Sequence, residues 1–99
     1  MRRFKLTQTD LLPGCREIAV EGELDLSVSA QLDSAIYEFR GALVRINFAR
    51  CQFIDSSVIS TLVRADRRMK GEARRILVIA PSGQVLRLLA VTGLIAAAS

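Results

Sequence analysis

Between Leu43 and Ala80 the chain changes its periodicity twice, and this constrains its fold more than any other feature. Leu43-Val44-Arg45-Ile46-Asn47-Phe48 has strand composition, Val58, Ile59, Leu62, Ala65 and Met69 recur at helical spacing, and Ile76-Leu77-Val78-Ile79-Ala80 is an unbroken apolar run. Strands joined by a helix run parallel through a right-handed crossover. An unbroken apolar run suits a parallel strand covered on both faces or otherwise deeply buried. The helix is expected to stop after Lys70, at Gly71. At the first change of period stand Asp55, Ser56 and Ser57, which therefore fall on a strand-to-helix junction.

The rest of the chain extends this unit in both directions. Residues 3–9 alternate, with Phe4 and Leu6 on one side and Lys5 and Thr7 on the other, as a half-exposed edge strand does. Leu12-Pro13-Gly14 turns the chain, and residues 16–24 alternate again with Ile18, Val20, Gly22 and Leu24 on one face, which predicts an antiparallel hairpin. Asp25 leaves that strand, and Ser27 or Ser29 is placed to cap a helix whose apolar face is Val28, Leu32, Ala35, Ile36 and Phe39. That helix should end near Arg40, with Gly41 in the left-handed conformation that closes helices. After the apolar run, Pro81-Ser82-Gly83 starts a last helix through Val85, Leu88, Leu89 and Thr92, ended by Gly93. The expected fold is a single α/β domain over residues 1–99. It has β-β-α-β-α-β-α order and a mixed, mostly parallel sheet on which the helices pack.

Composition narrows the function by exclusion. The chain has 99 residues, 51% of them apolar, which is enough for one buried core. No apolar run reaches the roughly eighteen residues a membrane span needs, and Met1-Arg2-Arg3-Phe4-Lys5 leads into alternation instead of a signal-peptide core, so a cytoplasmic location and no membrane insertion are expected. Two cysteines, Cys15 and Cys51, without any histidine, give no metal-ligand cluster and read as reduced thiols. Histidine is the commonest general base, and neither a G-x-S-x-G elbow nor a phosphate-binding glycine loop occurs, so no catalytic residue and no cofactor are assigned and the chain is not expected to be an enzyme. Much of the net charge of +4 comes from Arg64, Arg67, Arg68, Lys70, Arg74 and Arg75. Such a run serves as a solvated helix face or meets an acidic protein partner, and without interleaved aromatics it gives no sign of direct nucleic-acid binding.

The junction carries the chemistry. The first turn of a helix leaves backbone N–H groups without intrahelical partners; Ser56 is a natural N-cap for them, and Asp55 or Ser57 could take the role instead. The same groups and the positive end of the helix favour an anion, including a phosphate attached to a serine. Capping and modification are compatible roles.

With the elements in this order, the chain resembles a STAS domain of the anti-sigma-factor antagonist type. Gly22-Glu23-Leu24-Asp25-Leu26 resembles the exit from the family's second strand, residues 43–53 the strand and loop leading into its phosphorylation site, and Asp55-Ser56-Ser57 its D-S-S/T motif. Ala80-Pro81-Ser82 and Val91-Thr92-Gly93-Leu94 resemble later segments. The resemblance implies that Ser56 is the phosphoacceptor. It implies a partner that is both anti-sigma factor and serine kinase, with a GHKL-type fold and ATP as donor, and a PP2C-type phosphatase that restores the serine. It places Asp25 and Asp55 near that serine, as partner contacts or as loop and cap hydrogen-bonding groups, and we add Ser57, Ser60, Arg64 and Arg67 as the expected contact surface; a homodimer is left open. The family continues its motif as G-L-G, whereas here Val58 and Ser60 replace the glycines, which is expected to make the first helical turn bulkier where a kinase approaches. The family also adds a further strand and helix where this chain stops, so a bare strand edge is expected. The alternative within the same resemblance is a STAS subunit of a lipid ABC-type transporter, which stabilises an ATPase without phosphorylation.

Overall fold

A computed structural model describes residues 4–24, 26–79 and 83–90. The elements are β1 (Phe4–Leu12), β2 (Cys15–Leu24), α1 (Leu26–Glu38), β3 (Leu43–Ile54), α2 (Ser56–Lys70), β4 (Arg75–Ile79) and α3 (Gly83–Ala90), in the order the periodicity predicts. β1 pairs antiparallel with β2 across the Pro13-Gly14 turn, and β2, β3 and β4 pair in parallel, giving the sheet order β1-β2-β3-β4. Both crossovers move in the same direction along the sheet, so α1 and α2 lie side by side on one face.

That face is the core. Ile18 and Val20 of β2, Val44, Ile46 and Phe48 of β3, and Ile76 and Val78 of β4 meet Val28, Leu32 and Ile36 of α1 and Val58, Leu62 and Met69 of α2, all essentially without solvent contact. Phe4 and Leu6 pack against its edge from β1. The Ile76–Ile79 run departs from expectation, because Ile76 and Val78 are buried whereas Leu77 and Ile79 are only half-buried. β4 therefore buries one face fully, and it stands at the end of the described sheet.

Three local expectations change. Ser27 and Ser29 do not precede α1 but lie inside its first turn, and Asp25, the residue before the helix, lies outside the described residues. The same holds for the expected start of α3 at Pro81-Ser82 and its end at Gly93. Gly41 has no positive φ. Its lack of a side chain serves space instead: a Cβ there would collide with the Phe39 ring and stand 2.7 Å from the Gly14 carbonyl oxygen. Finally, β3 extends six residues past Phe48, to Ile54.

The extension of β3 has a cause in the pairing. From Ala19↔Asn47 to Glu21↔Arg50 the chain advances two residues on β2 and three on β3, and from Gly22↔Cys51 to Glu23↔Phe53 one and two. β3 therefore carries two bulges beside its exit, and Gly22 at the second has φ +98°, a conformation that favours glycine. Bulges re-aim a strand, and here they deliver Asp55 to the start of α2.

At the opposite end of the sheet the loops are tied together. Leu43 N–H donates to the Gly14 carbonyl and Arg75 N–H to the Ala42 carbonyl. Arg74, whose side chain is 11% exposed, donates through Nε to the Gly41 carbonyl and through its Nη atoms to the Phe39 carbonyl and to Glu72.

Candidate functional site

Asp55 sits between β3 and α2 with extended backbone (φ −83°, ψ 151°), and its Oδ1 accepts the Ser57 N–H at 2.8 Å. Its carbonyl accepts from the Val58 N–H at 3.0 Å. Asp55, and not Ser56, is thus the N-cap of α2. A carboxylate caps as well as a hydroxyl and adds a favourable charge at the positive helix end, which is why the residue one place earlier takes the role. Of the first-turn donors expected to receive an anion, the Ser57 and Val58 N–H groups are accordingly engaged by Asp55 itself.

Ser56, relieved of capping, is the first residue of α2 and is exposed, with no side-chain hydrogen bond among the described residues. Ser57 is half-buried, and its hydroxyl accepts a hydrogen bond from Ser29 Oγ of α1 at 3.0 Å. Thr61 is buried. Ser60 is exposed. Among the hydroxyls of the first two turns, then, Ser56 and Ser60 are exposed, Ser57 is half-buried and bonded to Ser29, and Thr61 is buried.

Val58 overturns the expected bulk at the kinase approach. It is fully buried and fills the core between α2 and the sheet, so of the two glycine replacements only Ser60 adds to the surface. One exposed hydroxymethyl group is a small obstacle.

The basic run divides by function. Arg64 and Arg67 are exposed on α2, Arg64 Nη2 reaching back to Thr61 Oγ1 at 3.4 Å and Arg67 having no side-chain partner among the described residues. Ser56, Ser60, Arg64 and Arg67 follow one another at helical spacing and share a single exposed strip. Arg68 belongs instead to the α1–α2 contact, with Nη1 3.8 Å from Asp33 and its guanidinium 5.3 Å from the Tyr37 ring. Lys70 and Arg75 flank the buried Asp66, and Arg74 ties the loops. Of the expected contact residues, Asp55 and Ser57 thus lie at the start of α2, Ser60 and Arg64 follow along it and Arg67 stands in its last turn, and Asp25 lies outside the described residues.

Two residues carry structural weight here beyond what the sequence assigns them. Ser29, a cap candidate by position, shares the apolar stripe of Leu32 and Ile36, where a serine needs a partner. Asp66 lies on the stripe of Leu62 and Met69, and its Oδ1 accepts the Ile76 N–H at 3.3 Å, satisfying a donor on the outer edge of β4. An acid at an apolar stripe position was the available signal in the sequence.

Among the described residues no three acidic or cysteine side chains come together to hold a metal ion, and no helix is long and apolar enough to cross a membrane. Residues 7–96 match the family model described as Mlab, STAS domain. The chain belongs to the STAS domain family. A comparison with curated proteins returns no match. Solved STAS structures carry the same fold. The unphosphorylated anti-sigma factor antagonist SpoIIAA is 22% identical with a TM-score of 0.73, over 96% of this chain and 89% of that one. The phosphorylated form of the Bacillus cell fate determinant SpoIIAA is 23% identical with a TM-score of 0.75, over 91% and 85%. An anti-sigma factor antagonist from Mycobacterium paratuberculosis is 20% identical with a TM-score of 0.71, over 92% and 79%.

Proposed function

We propose that this STAS domain is an anti-sigma-factor antagonist, a binding module without chemistry of its own, switched by phosphorylation of Ser56. The observation that carries this is the division of hydroxyls at the start of α2: Ser56 is exposed and unengaged beside an aspartate, whereas Ser57 is held by Ser29 and Thr61 is buried. The partner is an anti-sigma factor that is also a GHKL-type serine kinase, and it docks on the strip from Ser56 to Arg67 with Asp55 at its margin. A PP2C-type phosphatase resets the switch. A phosphate adds about −1.5 to −2 charges at neutral pH next to the Asp55 carboxylate. Because Asp55 engages the Ser57 and Val58 N–H groups, the phosphate gains little from those two donors and stands toward the partner, which must desolvate it. The fold survives and the interface does not. SpoIIAA has been solved in both phosphorylation states, and its fold is the one shared here.

The test is the affinity of the anti-sigma partner for wild type, Ser56→Ala and Ser56→Asp. The alanine variant should bind like wild type, and the aspartate variant at least about tenfold more weakly, equivalent to about 1.4 kcal/mol. An aspartate variant that binds like wild type removes the switch. The second reading is a STAS subunit that stabilises the ATPase of a lipid ABC-type transporter without being phosphorylated. It is favoured by the Mlab family model and by Val58 and Ser60 standing in place of the G-L-G glycines. On that reading Ser56→Asp leaves assembly with the ATPase unchanged.

A further inference from the structure

We infer that Ser29 determines which serine of the Ser56-Ser57 pair can be modified, an inference that rests on the phosphorylation switch proposed above. The two hydroxyls are adjacent in sequence and both follow Asp55, so sequence position alone does not separate them for a kinase. The fold does. Ser29 is 7% exposed and lies on the face of α1 turned toward the core, and its Oγ donates to Ser57 Oγ at 3.0 Å. This bond crosses from α1 to α2 and links positions 28 residues apart. The backbone of Ser57 is fixed at the same time by the Asp55 carboxylate, which accepts its N–H. Ser57 is therefore held from two directions.

Phosphoryl transfer from ATP forms a bond between a serine Oγ and the γ-phosphorus and breaks the bond from that phosphorus to the bridging oxygen, releasing ADP, while the hydroxyl proton passes to a base on the kinase or to water. The attacking oxygen must approach in line with the leaving oxygen. Ser56 can do so from solvent. For Ser57, half-buried, the same approach requires turning the hydroxyl away from Ser29 and out of its place beside α1. The Asp55 carboxylate opposes a dianion on either serine, but at the half-buried Ser57 the product is also less hydrated than at the exposed Ser56, and this partial desolvation adds to the cost. Ser29 thus acts at a distance from the transferred group, as a positioning residue that withholds one of two chemically equivalent nucleophiles.

The test reads access without needing a kinase. Ser56→Cys and Ser57→Cys are each made with Ser29 intact and with Ser29→Ala, and alkylation by iodoacetamide is followed across pH to the limit of full thiolate. The native Cys15 and Cys51 are buried, and the parent chain gives their contribution. With Ser29 present, the thiol at position 56 should react roughly tenfold faster than that at position 57, since thiolate reactivity tracks access. Ser29→Ala should raise the rate at position 57 by about threefold or more and leave position 56 unchanged, and Ser29→Thr, which keeps the hydroxyl, should restore protection. Equal rates at the two positions with Ser29 intact, or a rate at position 57 indifferent to Ser29→Ala, would overturn the inference. Denaturant midpoints taken on the same variants distinguish release of the site from loss of the fold. Failure of the switch itself reads differently: with ATP and the anti-sigma partner, wild-type Ser56 would stay unmodified while the thiol rates kept their order.

Discussion

At the scale of single residues, one step along the chain separates the cap from the candidate switch. Asp55 closes the first turn of α2, so Asp55→Ala should cost about 0.5–2 kcal/mol. Ser56 makes no bond among the described residues, so Ser56→Ala and Ser56→Asp should each stay within about 0.5 kcal/mol of wild type. Denaturant midpoints for the three variants check this, and a large loss at Ser56→Ala would return the cap to the serine. The sequence places Asp55, Ser56 and Ser57 at the junction but leaves the choice of cap among them open, because both residue types cap well. The choice turned on where β3 ends, and the two bulges that settle it leave only Gly22 as a trace in the sequence.

At the scale of elements, α2 works through three sides at once. Its buried side carries Val58, Leu62, Ala65 and Met69. Its side toward β4 carries Asp66, which satisfies the Ile76 N–H and holds Lys70 at 3.2 Å. Asp66→Ala leaves a strand-edge donor unpaired and should destabilise the fold by about 1–3 kcal/mol, measured by chemical denaturation. The exposed strip of Arg64 and Arg67 is the part free to steer a partner. Reversing both to Glu should lower the association rate and its salt dependence far more than it raises the dissociation rate, and an association rate equal to wild type would take the strip out of the interface. Arg68 does not belong in that experiment, because a glutamate there would face Asp33 of α1. Helical periodicity made α2 and its basic composition legible, but not which cations are engaged. That depends on the neighbouring helix and loops, which local spacing does not encode.

At the scale of the whole molecule, the chain has no histidine, so no side chain with an ordinary pKa near neutrality titrates. The charges that respond lie at the acid end. The Arg16 guanidinium hydrogen-bonded to Asp10 holds that carboxyl below its usual range, and Arg74 does the same for Glu72. A carboxyl lowered in the folded state adds stability above its unfolded pKa, near 4, and that contribution is lost as the pH falls through the lower folded value. Stability should therefore be flat from about pH 7.5 to about 5 and decline below about 4.5, and Asp10→Asn with Glu72→Gln should make the decline shallower in acid titrations followed by circular dichroism. Both groups are exposed, so the effect is small. The element order, the hairpin and the parallel crossovers were legible from local periodicity, and the structure adds the sheet order, in which each strand pairs with its neighbour in sequence. The same order has a consequence during synthesis. As the chain leaves the ribosome, each new strand finds its pairing edge already waiting, first β2 on β1, then β3, then β4, and no strand waits for a distant partner still to be translated. The described sheet extends from one side, so β4, the shortest of its strands and the last of them to emerge, is the strand whose delayed arrival leaves an open edge on the nascent chain.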